Sequence, residues 1–279
     1  MFEIQLNYKK IIFAGDIHGL INLKSVCLNY IKHIDNSLII FCGDIGLGFS
    51  PFIIEKNILL DCNIILKEKN IHIILFRGNH DNPDLFKENN NYNLSNITVI
   101  PDYTILKTEL YNILCIGGGI SIDRSLRNNM TYWNNEIITP LNDDIKSEIK
   151  NLNYNIDIIC THESPTFIKP INESIIEQGD MVHYYSITDK QLKQDNWNDR
   201  IKLNDIYEFI IQYHNIKYWV YGHFHEHYYT EYNNIKFIGL DMFYAYCKSI
   251  NNYLYKLGID FYDLDNPDSF SYIFSKSKK

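Results

Sequence analysis

The N-terminal part of the chain repeats one pattern: a short apolar run, a glycine-containing loop, then a segment with helical spacing. The run at 11–14 leads into Gly15-Asp16-Ile17-His18-Gly19, and the run at 37–42 leads into Gly43-Asp44-Ile45-Gly46. A third, at 71–76, leads into Arg77-Gly78-Asn79-His80-Asp81. Unbroken apolar runs of this length suit strands covered on both faces, and segments 20–34 and 52–69 are long enough to be crossover helices. From residue 97 the spacing changes. Runs at 97–100, 104–110 and 113–116 are separated by turns too short for crossovers, which predicts an antiparallel section. A helix is predicted over 140–152 with Pro140 at its start. Buried strands are predicted at 156–160 and 216–221, each followed at once by a histidine loop. Segments 228–232 and 235–240 read as a hairpin about Asn233-Asn234. The longest insertion separates His162 from Ile216, with helical spacing strongest over 199–214. With no repeat and no linker composition, residues 1–279 read as one α/β domain with a capping insertion at about 163–215 and a C-terminal packing segment at 241–279.

Composition narrows the partners. The formal charge is −8, and no block of basic residues is longer than the terminal Lys276-Ser277-Lys278-Lys279. The basic footprint of a nonspecific nucleic-acid binder is therefore missing, and long duplex nucleic acid is not an expected partner. Clustered carboxylates that bind cations make net charge a poor guide to small anionic substrates. Six cysteines (Cys27, Cys42, Cys62, Cys115, Cys160 and Cys247) lie far apart with no CxxC pair. They read as buried thiols in a reducing cytoplasm. No apolar stretch approaches the roughly 18 residues of a membrane span, and the N-terminus does not read as a signal peptide. No membrane partner is expected.

Five loops, each directly after a strand-like run, hold most of the metal-capable groups: Asp16 and His18; Asp44; Asn79 and His80; His162; His223 and His225. Loops at the carboxyl ends of strands in an α/β fold converge on one edge, where ligands bind. Hydrolysis of a phosphate ester needs a nucleophilic hydroxide, charge stabilisation on the phosphoryl oxygens and a proton for the leaving alkoxide. Two divalent cations supply the first two. A mixed His, Asp and Asn donor set suits Mn, with Fe or Zn as alternatives, better than Mg or Ca.

In order and spacing, Gly15-Asp16-Ile17-His18-Gly19, Gly43-Asp44, Gly78-Asn79-His80-Asp81, His162 and Gly222-His223-Phe224-His225 resemble the calcineurin-like metallophosphoesterase superfamily across about residues 10–226. That resemblance implies a four-layer α/β/β/α sandwich with mixed sheets. It implies one metal on Asp16, His18, Asp44 and His225 and a second on Asp44, Asn79, His162 and His223, with His80 as catalytic histidine and a metal-bridging hydroxide as nucleophile. The function expected is that of a phosphomonoesterase acting on a small phosphorylated molecule, a nucleotide or a phosphoprotein. A phosphodiesterase of nucleotides or nucleic-acid ends is the alternative within hydrolases. A noncatalytic protein-binding scaffold is the alternative of another class; such a descendant is expected to lose ligands or His80, and none is missing.

One loop departs from the likeness to the serine/threonine phosphatase and diadenosine tetraphosphatase branch. Where that branch continues its Gly-Asp with Asp-Arg, this chain reads Ile45-Gly46-Leu47-Gly48. The carboxylate that orients the catalytic histidine is missing there, leaving Asp81 or Asp123 as candidates. The phosphate-binding arginine is missing too. Arg124 or Arg127, beyond the glycine-rich turn Gly117-Gly118-Gly119, could anchor substrate through a guanidinium fork. Tyr132, Trp133, Tyr184, Tyr185 and Trp197 fall in the long connections, as packing residues or as platforms for a base. His72, inside an apolar run, reads as a core histidine, His227 reads as a bystander, and His33, His183 and His214 carry no assignment.

Overall fold

A computed structural model describes residues 1–128, 130–168, 176–242 and 261–263. The chain runs β1 (Phe2–Gln5), β2 (Lys10–Ala14), α1 (Leu20–Asn29), β3 (Ser37–Phe41), α2 (Phe52–Glu68), β4 (Ile71–Leu75), β5 (Ile97–Val99), β6 (Thr104–Lys107) and β7 (Asn112–Ile116). It continues through α3 (Asp143–Lys150), β8 (Ile158–Thr161), α4 (Ile176–Ser186), α5 (Leu192–Ile210), β9 (Tyr218–Tyr221), β10 (Tyr228–Tyr232), β11 (Ile235–Gly239) and β12 (Phe261–Asp263).

Two mixed sheets form. One has the order β12-β2-β3-β4-β5, the other β1-β6-β7-β8-β9-β11-β10. Within the first, β2 to β5 are parallel and β12 pairs antiparallel with β2. In the second, β7, β8 and β9 form a parallel run.

The layering follows from strands that are apolar on both faces. In β3 all five residues are buried. Ile39 and Phe41 join the cluster holding Leu23, Val26 and Cys27 of α1 and Leu59, Cys62 and Leu66 of α2. Leu38 and Ile40 join a second cluster with Ile113, Cys115, Ile158, Cys160 and Val220 of the other sheet. A third cluster lies on that sheet's far side, where Ile159, Trp219 and Phe237 meet Ile149 of α3 and Leu203, Ile206 and Ile210 of α5. The order is helix, sheet, sheet, helix, as the resemblance implies. Side chains alternate between faces with period two, so each central strand can serve two cores.

The antiparallel section is narrower than its spacing predicts. The run at 97–100 does not pair with its successor; β5 extends the first sheet, parallel to β4, and only β6 and β7 are antiparallel to each other. Segment 76–96 serves as the crossover with no α-helix, only a 3-10 turn at Pro83–Leu85, so helical spacing gave no sign of it. The helix predicted from Pro140 starts at Asp143, where the Asn142 side chain accepts from the Ile145 N–H as an N-cap. Strand β1 pairs with β6 although it was not predicted. The hairpin about Asn233-Asn234 forms, with both residues at positive φ (50° and 61°), as a type I′ turn requires. Much of the stretch read as a cap is a layer of the fold, because α5 packs on the second sheet. The C-terminal segment 241–279 lies outside the described residues apart from 241–242 and β12.

Candidate metal centre

Every loop singled out by sequence leaves the carboxyl end of a parallel strand: β2, β3 and β4 in one sheet, β8 and β9 in the other. The two parallel runs end on the same edge of the sandwich, and their loops meet there. Close approach requires glycine: a Cβ on Gly78 would collide with the Asp44 carboxylate, and one on Gly222 with that of Asp16. The loops are also strained. His18, Asp44, His223 and His225 all hold positive φ, between 49° and 69°. Among the described residues other than glycine and asparagine, only Tyr103 shares that conformation. Each such residue costs on the order of 1–3 kcal/mol, and clustering of this strain marks a functional site.

Two donor sets emerge. In the first, His18 Nε2 and His225 Nε2 are 2.9 Å apart, and Asp16 Oδ2 is 3.2 Å from His225 Nε2 and 3.7 Å from His18 Nε2. Asp44 Oδ2 stands 3.7 Å from His18 Nδ1. In the second, Asn79 Oδ1 is 2.8 Å from His162 Nε2 and 2.9 Å from His223 Nδ1, and those ring nitrogens are 3.1 Å apart. Asp44 Oδ1 lies 3.3 Å from His162 Nε2, so Asp44 joins the second set and stands beside the first, which it meets at His18 Nδ1 and not at Nε2. Donors bound to one cation at about 2.1 Å stand about 3 Å from each other, the spacing seen here.

Hydrogen-bond direction shows what the second set lacks. His162 Nδ1 faces the Cys42 carbonyl at 2.7 Å, which only accepts, so the proton is on Nδ1 and Nε2 offers a lone pair. His223 Nε2 faces Glu163 Oε2 at 3.2 Å, which leaves its Nδ1 lone pair to the site. Asn79 Nδ2 donates to Ser121 Oγ at 3.0 Å, and Ser121 donates through Oγ to Glu136 Oε2 at 2.8 Å. Ser121 also donates its peptide N–H to Glu136 Oε1 at 2.7 Å. Asn79 must therefore turn Oδ1 inward. Four acceptors converge with no donor among them, a donor set that fits a divalent cation.

The electrostatics show carboxylates that draw positive charge into the site. Burial raises Asp44, but His162, His80 and His18 with the His80 peptide N–H, 2.7 Å from Oδ1, hold it well below the usual carboxylate range. For His162 and His225 burial lowers the pKa, yet the carboxylates of Asp44 and Asp16 raise both above the ordinary imidazole value. His223 is pulled down to about 3 by burial and by His162.

His80 borders both sets at the mouth of the site. Burial, with Arg127 and His18, lowers its pKa to about 4 against the pull of Asp44. Arg127 Nη2 is 2.5 Å from His80 Nε2 and 3.0 Å from Nδ1, while Arg127 Nε pairs with Asp123 Oδ1 at 2.7 Å. Asp123 thus reaches His80 through Arg127. Asp81 accepts from the N–H groups of Ile45, Gly46, Leu47 and Gly78, tying the second loop to the third. Arg124 is engaged by Asp189 and Asp195 beside α5. Arg77 is spent on Asp102 and the Glu136 and Ile137 carbonyls.

Sequence reasoning did not single out Glu163, Glu136 or the role of Ser121. Glu163 follows His162 directly, and a carboxylate beside a ligand histidine is a usable signal. Glu136 offers none, since only the folded chain brings it to Ser121.

A family model described as calcineurin-like phosphoesterase matches residues 9–227. Among curated proteins no relative matches. The solved structures that are similar include a phosphopantetheinyl hydrolase from Mycobacterium tuberculosis, at 12% identity and a TM-score of 0.40, with 84% of this chain and 89% of that one covered. Another is a candidate 5′-nucleotidase from Staphylococcus aureus in complex with α-ketoglutarate, at 12% identity and a TM-score of 0.37, with 84% and 49% covered.

Proposed function

The chain belongs to the calcineurin-like phosphoesterase family, a metal-dependent hydrolase acting on phosphoester bonds, and from that premise we propose a two-metal phosphomonoesterase with His80 as its catalytic histidine. The observation that carries the reading is the pair of donor sets with Asp44 between them. Asp16, His18, Asp44 and His225 would hold one ion; Asp44, Asn79, His162 and His223 would hold the other. Divalent ions, manganese first and iron or zinc next, would neutralise phosphoryl charge and acidify a water so that hydroxide is available at neutral pH.

The chain's own residues do the rest. A neutral His80 donates one ring N–H to the phosphoryl or leaving oxygen. The Arg127 guanidinium, itself anchored by Asp123, holds the ring and keeps it uncharged before substrate binds. Asp81 acts indirectly by fixing the loop that carries Asp44. Of the two arginines read as phosphate anchors, Arg127 is the one beside the centre, and Arg124 serves the ion pairs at α5. Cys42 and Cys160 lie 3.4 Å apart, unbonded, and the five described cysteines are free and buried. This supports a reducing, cytoplasmic setting.

The test is hydrolysis of 4-nitrophenyl phosphate and its bis ester by metal-stripped protein resupplied with Mn. Monoester turnover that vanishes in His80→Ala and Asp44→Asn supports the reading. Faster turnover of the diester replaces it with a phosphodiesterase, and no turnover in protein that binds two ions removes it.

A further inference from the structure

The cleft above the metal centre has a volume of about 310 Å³. Its floor is the centre itself. Its walls are Ile122 and Phe224 from the loops after β7 and β9, and Met181, Val182 and Tyr185 from α4. The other polar groups lining it belong to Asp123, Asn196 and Tyr185. Among the described residues, no lysine or arginine lines it.

The nearby cations are committed elsewhere. Arg124 binds Asp189 and Asp195, which fixes the α4 wall against the loop after β7. Arg127 binds Asp123 and His80. Arg200 donates to the carbonyls of Ser164, Pro165 and Ile168. The centre can neutralise one phosphoryl group on the floor. A second anion, carried on the leaving group, would rest against apolar walls or against the Asp123 carboxylate. Removing an anion from water without a partner is costly, so such a substrate is penalised on entry.

We infer that the cleft selects a substrate with one phosphoryl group on an uncharged, largely apolar leaving group, and that it rejects polyphosphates and leaving groups that carry a carboxylate. The inference rests on the phosphomonoesterase reading and names its substrate class. Asn196 and Tyr185 carry the uncharged polar groups outside the centre available to such a group.

The experiment compares kcat/KM of the Mn-loaded protein for three probes: butyl phosphate, 3-phosphoglycerate, whose alkoxide leaving group matches that of butyl phosphate in kind, and ATP. The expected result is a preference of at least about 10-fold for the uncharged alkyl ester over both anionic probes. Two variants test the cause. Val182→Lys places a cation in the wall and is expected to narrow the gap with 3-phosphoglycerate and ATP. Tyr185→Ala is expected to raise KM for 4-nitrophenyl phosphate more than for methyl phosphate, with kcat for the aryl ester less affected. Hydrolysis of all three probes without preference overturns this inference and leaves the phosphomonoesterase reading standing. An unchanged ratio in Val182→Lys with an unchanged KM in Tyr185→Ala overturns it too. Hydrolysis of none of the esters, in protein holding its ions, overturns both.

Discussion

Asn79 and Ser121 stand 3.0 Å apart, Nδ2 to Oγ, and the direction of that bond decides which atom Asn79 presents to the metal centre. Ser121 gives its hydroxyl proton to Glu136, so it can only accept from Asn79. Glu136→Gln, though nearly isosteric, should reverse the chain. Its amide oxygen must face the Ser121 peptide N–H, so its NH₂ donates to Oγ, the hydroxyl proton turns to Asn79, and Asn79 flips. Mn affinity at the second site should fall about 10–100-fold in both Glu136→Gln and Ser121→Ala, with the first site unchanged. Calorimetric titration reads the two sites separately. Wild-type affinity in Glu136→Gln would show that bond direction is not what fixes Asn79.

Asp44 stands between the two donor sets, Oδ1 toward His162 and Oδ2 toward His18, and in the two-metal reading it would be the shared ligand. Its loss should therefore cost more than the loss of any other donor. Asp44→Asn should hold roughly no Mn at concentrations where wild-type protein holds two ions, whereas His225→Ala and His162→Ala should each keep about one. Metal analysis after gel filtration gives the counts. Two ions retained by Asp44→Asn would rule out a bridging role.

Arg127 helps to keep His80 neutral, after burial, which is the larger cause. If the neutral ring is the active form, activity falls as pH drops through the His80 pKa of about 4. In Arg127→Ala the guanidinium is gone and the neighbouring Asp123 loses its partner, and both changes raise that pKa. The acid limb of kcat/KM should move to higher pH, with neutral-pH activity down roughly 100-fold from lost positioning. Arg127→Lys should recover part of the limb's position, since an ammonium keeps the charge but not the fork. An acid limb that stays in place in Arg127→Ala assigns Arg127 a packing role alone.

How much of this was legible in sequence depends on whether the cause is local. Apolar runs ending in Gly-Asp or Gly-Asn-His can be read because strand, tight turn and ligand are consecutive; Asp16, Asp44, Asn79 and His80 were found that way. The placement of β5 could not be read, because a crossover without an α-helix has no periodicity. The Asn79–Ser121–Glu136 chain was invisible for a different reason: Asn79 follows β4, Ser121 and Glu136 sit fifteen residues apart in the long connection after β7, and the three meet only once the two sheets face each other. Arg124 and Arg127 were equivalent as residue types. Only the fold separates them, by giving one to Asp189 and Asp195 and the other to His80.

His72, in β4, gives a prediction independent of the metal centre. Its Nε2 meets Thr98 Oγ1 at 2.8 Å on the neighbouring strand, and burial lowers its pKa from 6.5 to about 4. The sign follows from proton binding. Between those values the unfolded chain takes up a proton at His72 and the folded chain does not, so stability decreases as pH falls from about 6.5 toward 4. The loss is at most about 3 kcal/mol. Above pH 6.5 neither state is protonated and the residue adds no slope. His72→Gln keeps a partner for Thr98 and cannot be protonated. Its urea midpoint relative to wild type should therefore rise steadily from pH 7 to pH 4.5, because wild type alone pays to stay neutral. A midpoint difference that is flat over that range would mean that His72 is free to charge in the folded protein, by breathing of the β4 and β5 edge or by water reaching the ring.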